Sequence, residues 1–102
     1  MSDPLVYEEP GGSITVTPYA LGRLVVRAVE QVDAARVRRP RRGLDVRFAA
    51  GRATVSVELV ARYGAVLPEL AGQAQERIAA ALRETCDVDV DAVDVTVAEV
   101  ER

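Results

Sequence analysis

The chain has 102 residues, 49% hydrophobic and 28% charged, with 13 basic against 16 acidic side chains and a formal net charge of -3. That length fits one domain with a small core, and the composition is that of a folded globular chain. Histidine and lysine are both absent, so every basic residue is an arginine. This excludes imidazole bases, histidine-held metals, Schiff-base lysines and a phosphate-loop lysine.

In chain order, residues 1–12 carry Asp3, Glu8, Glu9, two prolines and the pair Gly11-Gly12. They read as a flexible acidic tail, which leaves 13–102 as the folded domain. The tail shows neither the basic nor the apolar segment of a signal peptide, and no apolar run approaches a membrane span. The expectation is a cytoplasmic protein whose membrane contact comes from its surface or a partner. Ser13 to Thr17 alternates as a short strand. Thr17 then caps a helix that opens on Pro18, with Leu21, Leu24, Val25, Ala28, Val29 and Val32 on one face. The spacing predicts that this helix ends near Ala35. Leu44, Val46 and Phe48, then Ala53 through Ala61, alternate on either side of a Gly51 turn and predict a hairpin. Tyr63-Gly64 ends its second strand. A second helix opens around Leu67-Pro68, with Leu70, Ala74, Ile78 and Leu82 in its stripe. Last, Val88 and Val90 share one parity while Val93, Val95 and Val97 share the other. The flip predicts a bulge at Asp91-Ala92 and a main strand from Val93 to Val100.

The order strand, helix, strand, strand, helix, strand predicts an α+β two-layer sandwich. Two helices would cover one face of a single antiparallel-rich sheet. A ferredoxin-like arrangement is the first expectation. If the first strand fails to join the sheet, the remainder is helix, hairpin, helix, strand.

No constellation supports catalysis or a metal. Cys86 is the sole cysteine, so no intramolecular disulfide and no cysteine cluster can form, and the residue reads as a buried small hydrophobe. Asp87, Asp89 and Asp91 imitate the start of a calcium loop. Ala92 and Ala98 then stand where that loop needs glycine and a bidentate glutamate. The serines have no histidine, and no glycine pattern makes a phosphate cradle. The expectation is a non-enzymatic chain without cofactor or metal.

The remaining feature is "ARVRRPRRG", which places Arg36, Arg38, Arg39, Arg41 and Arg42 in what reads as a loop, with Arg47 and Arg52 able to extend the patch. These arginines are the candidate anion- or partner-binding residues. A nucleic-acid grip is less favoured, because aromatic interleaving, an RNP motif and a GXXG loop are all missing. The polar face of the hairpin strand, Thr54, Ser56, Glu58 and Arg62 with Val60 and Thr96 beside them, is the candidate partner-facing surface. Charge also divides the sequence, with arginines at 36–42 and acids at 87–101, a pattern suited to head-to-tail association.

Three stretches, "GGSITVTPYALGRLVVRAVEQV", "GRATVSVELVARYGAVLPELAGQAQERIAAALRETC" and "VDAVDVTVAEV", together resemble the alkaline shock protein, or Gls-type, family of bacterial general-stress and cell-envelope proteins. The resemblance spans about residues 12–100. The family usually carries a Gly-Val pair after the first helix and a glycine after the second. Here those places hold Ala35-Arg36-Val37 and Cys86. The resemblance implies a cytoplasmic, non-enzymatic scaffold or adaptor in the envelope stress response. It further implies self-assembly and a small transmembrane protein as anchor. Anionic lipid is a further candidate partner, read from the arginine stretch itself. The alternative reading is a KH-like nucleic-acid-binding module using the arginine stretch.

Overall fold

A computed structural model describes residues 4–39 and 43–102. The elements are β1 (Leu5–Glu9), β2 (Gly12–Val16), α1 (Pro18–Glu30), β3 (Ala35–Val37), β4 (Leu44–Ala49), β5 (Arg52–Arg62), α2 (Leu67–Cys86) and β6 (Asp89–Glu101). The α+β class and the two-layer arrangement expected from the sequence are present.

β5 is the central strand. β3 and β4 both pair antiparallel with one edge of it, β3 along residues 59–61 and β4 along residues 52–57. β6 runs parallel along the other edge, returned there by α2. The inward parity of β5 (Ala53, Val55, Val57, Leu59 and Ala61) is buried throughout. It meets Leu21, Val25, Ala28 and Val29 of α1 and Leu70, Ala74, Ile78, Leu82 and Cys86 of α2 in one core. Both helices therefore lie on one face, and the opposite face has no layer over it.

Local chemistry sets the element ends. The Thr17 hydroxyl accepts from the Ala20 amide at 3.2 Å, and Pro18 opens α1. Ala50 and Gly51 have φ of 53° and 76° between the paired residues Ala49 and Arg52. Two successive positive φ values make the type I′ turn that matches strand twist. Asp87 closes α2 in the left-handed conformation, its amide donating to the Arg83 carbonyl at 3.1 Å. The expected bulge falls at Asp91, where the β5–β6 register steps from Ala53↔Val90 to Thr54↔Ala92. A second step skips Ala98, where the apolar row moves from Val97 to Val100, a change of parity that sequence reasoning missed.

Four expectations are corrected. Leu5–Glu9, placed in the tail, is a strand paired with β2 across a Pro10-Gly11 turn. Its Leu5 is buried, and the Tyr7 hydroxyl donates to the Cys86 carbonyl at the end of α2, a group that no intrahelical amide satisfies. The ferredoxin-like order fails because β2 takes β1 as partner and stays out of the main sheet. That sheet follows the helix, hairpin, helix, strand order instead. α1 ends at Glu30, five residues before Ala35. Ala34, with φ of 68°, then turns the chain into β3. Finally, the arginine stretch is not one loop. Arg36 lies in β3, while the Arg38 amide donates to the Glu58 carbonyl at 2.8 Å and the Glu58 amide donates to the Gly43 carbonyl at 2.7 Å. The two ends of the interval are thus held at one residue of β5.

Two predictions follow from this packing. A Cβ on Gly43 would overlap the Arg38 carbonyl oxygen and lie 3.2 Å from the Glu58 Cβ. Gly43→Ala is expected to cost about 1–3 kcal/mol in denaturant unfolding; an unchanged midpoint would contradict the closure at Glu58. Burial pushes the Cys86 thiol up. Burial first, then the Cys86 and Asp87 charges, push the Tyr7 phenol up. The folded chain therefore retains protons that the unfolded chain releases, so stability falls as pH rises past the ordinary thiol and phenol values of 9.0 and 10.0. Denaturation midpoints measured from neutral to strongly alkaline pH are expected to decline across that window, and less steeply in Cys86→Ala.

Candidate partner interface

The uncovered face of the sheet is built from the second parity of β5. Thr54 and Glu58 are half-buried there, and Ser56 and Arg62 are exposed. Register sets Arg47 and Ala92 beside Thr54, Asp45 and Asp94 beside Ser56, Thr96 beside Glu58, Glu99 beside Val60, and Glu101 beside Arg62. The four sequence-predicted surface residues therefore share one face. Val60, grouped with them, lies on that face but is only 3% exposed.

What covers Val60 is a lattice of ion pairs. Arg36 reaches from β3 across β5 to Glu101 on β6, with Nε 3.3 Å from Oε1 and Nη2 3.1 Å from Oε2. Arg38 donates through Nη1 to Glu58 at 3.0 Å and through Nε to Glu99 at 2.7 Å. Two strand spacings, roughly 10 Å, separate β3 from β6. Long side chains close that gap, and their aliphatic stems lie over the apolar residue between. Hydrogen bonding to Glu101 raises the Arg36 pKa further, and hydrogen bonding to Glu99 and Glu58 does the same for Arg38. The five candidate arginines are therefore not equivalent. Arg36 and Arg38 are neutralised within the chain. Arg39 is exposed, with φ of 47° and no side-chain partner among the described residues. Arg41 and Arg42 lie outside the described residues.

The proposed extensions of the patch go elsewhere. Arg47 pairs with Asp45 at 2.7 Å on its own strand. Arg52, at the far end of β5, pairs with Asp91 and stands 3.9 Å from Asp89. The apparent charge division in the sequence is closed by the fold, because the acidic strand lies two places from the basic one and their side chains meet. Sequence reasoning missed Glu99 and Glu101 as partners of the arginines. The valine alternation up to Val97 would have turned both inward; the register step at Ala98 brings them outward, and their nearness to β3 depends on the parallel placement of β6. Among the described residues no group of three or more metal-binding side chains gathers.

The family model of alkaline shock protein 23, described as having a cell envelope-related function, matches residues 20–102. The chain belongs to this family, as the resemblance implied. Neither a curated protein nor a solved structure matches it.

The lattice makes a testable statement about stability. Arg38→Ala is expected to lower the denaturation midpoint at low salt more than Arg39→Ala does. The gap should narrow in about 1 M salt, where screening acts within a few ångströms. Equal effects of the two substitutions would mean the pairs contribute nothing.

Proposed function

We propose that this member of the alkaline shock protein family is a non-enzymatic scaffold or adaptor of the cell envelope that acts by protein–protein contact. The observation that carries the reading is the sheet face without a helical layer. It presents Thr54, Ser56 and Thr96 between paired charges, and Arg36 and Arg38 are already held in place by their ion pairs. A surface ordered before contact loses little side-chain freedom when a partner docks. The family's cell envelope-related function supplies the setting.

In this reading the protein works at the cytoplasmic side of the membrane. No helix among the described residues is long and apolar enough to cross a bilayer, so the attachment proposed is to a small transmembrane anchor, with copies of the chain able to assemble beside it. Head-to-tail attraction between basic and acidic ends is not part of the proposal, because Arg36 and Arg38 already meet Glu99 and Glu101. The same pairing withdraws two of the five cations on which a KH-like nucleic-acid site would depend, and no observation favours that alternative.

The test is capture of the tagged full chain from gently solubilised cells, with and without nuclease. A stoichiometric small membrane protein that survives nuclease is the expected result. Ser56→Arg, at an exposed position of the open face, is expected to abolish capture and leave the denaturation midpoint unchanged. Capture of RNA alone, or partner binding indifferent to Ser56→Arg, would overturn the reading.

A further inference from the structure

We propose that a shallow cavity at the C-terminal ends of β5 and β6 binds the phosphate monoester headgroup of an anionic membrane lipid. The cavity, about 110 Å³, is lined by Arg36, Arg62, Arg102, Glu101 and Val60, with the Ala34-Ala35 turn as its rim. Three arginines and one glutamate line it. Glu101 occupies Arg36 side-on, through Nε and Nη2, in the two-point geometry that guanidinium offers to any planar or tetrahedral oxyanion. The Arg62 side chain is exposed and has no partner among the described residues. Arg102 stands over the Tyr63 ring, 5.1 Å from its centroid.

The occupancy by Glu101 selects the ligand. A carboxylate arriving from outside would compete with one tethered in place and gain little. A phosphate monoester carries nearly two charges and three acceptor oxygens. It can take Arg36 from Glu101 while also engaging Arg62 and Arg102, which a carboxylate cannot span. Glu101 is then a resident competitor that sets the threshold for binding.

The surroundings select a lipid as the source. Tyr63, Val66 and Val100 are 66%, 58% and 49% exposed. All three sit at this same end of the sheet: Tyr63 follows Arg62, Val66 precedes the first residue of α2, and Val100 pairs with Ala61. An exposed tyrosine beside the arginines, with exposed valines on the helix side of the same end, suits the boundary between headgroups and acyl chains, where tyrosine rings settle and arginines meet anionic lipid. A dissolved phosphate would have no use for them. The site lies at the end of the open sheet face, beyond Ser56, and adds a direct membrane contact to the anchor-mediated one proposed above.

The experiment is co-sedimentation of the full chain with vesicles of phosphatidylcholine containing phosphatidic acid, against phosphatidylcholine alone, with inorganic phosphate titrated separately. Binding is expected only to the phosphatidic acid vesicles. Arg62→Gln and Arg102→Gln should each weaken it about fivefold, and Glu101→Gln should strengthen it. Tyr63→Ser should weaken vesicle binding without changing any affinity for inorganic phosphate. The Arg62 and Arg102 side chains carry no buried contact, so these variants are expected to fold, as an unchanged denaturation midpoint would verify. Three results would overturn the proposal: no vesicle binding, vesicle binding indifferent to Arg62→Gln, or phosphate binding with no response of the vesicles to Tyr63→Ser. Partner capture and its loss in Ser56→Arg are read independently, so the scaffold reading and the lipid pocket can each fail alone.

Discussion

The fold rests on β5 being paired along both edges and buried along one face. A strand in that position must satisfy its amides and carbonyls laterally, and its inner side chains must be apolar and small enough for two helices to approach. The inner row of alanine, valine and leucine from Ala53 to Ala61 meets both needs. Once α1 and α2 cover that row, the remaining architecture is constrained. The helix returning from the end of β5 brings β6 in parallel, and the segment after α1 can reach only the opposite edge.

That edge explains the arginines. β3 and β4 behave as one edge strand interrupted after Arg38, with Glu58 bonded on both sides of the interruption. The interruption leaves Arg36 and Arg38 on the solvent side of the sheet, opposite the acids of β6. Val60 would be an exposed valine in the middle of a polar face without them. The guanidinium stems cover it, and the carboxylates of Glu99 and Glu101 fix the stems. Exposed ion pairs contribute little to stability singly. Their structural effect here is to hide an apolar residue and to keep the face ordered.

The sequence was most informative where a single periodicity ran unbroken. The two helical stripes, the Gly51 hairpin and the parity flip at Asp91 each follow from local alternation, and each has its counterpart in the fold. The failures share a different cause. β1 is too short and too acidic to announce itself, and it is a strand because β2 and the end of α2 supply partners for it. The end of α1 lies at Glu30 although Val32 continues the apolar stripe. Val32 is buried in the following turn, so periodicity and helix part company there. The ion pairs between Arg36 and Glu101 and between Arg38 and Glu99 join residues more than sixty positions apart. The register step at Ala98 turns Glu99 and Glu101 to the outer face, and the strand order makes them neighbours of Arg36 and Arg38.

The distribution of unpaired charge then separates two surfaces that the linear sequence had merged. Along the middle of the open face, Arg38 and Arg47 each have an acid within reach, and with Glu58, Glu99, Asp45 and Asp94 the acids outnumber them. At the C-terminal end of β5, Glu101 serves Arg36, while the Arg62 side chain has no carboxylate partner among the described residues. An ordered face whose arginines are already paired suits contact with another protein surface, where mismatched charge would be penalised. A positive end beside exposed Tyr63, Val66 and Val100 suits an anionic, partly apolar boundary. The asymmetry arises from one feature of the chain. β6 carries its outward acids in register with β5, and that register ends with the Arg62↔Glu101 pair.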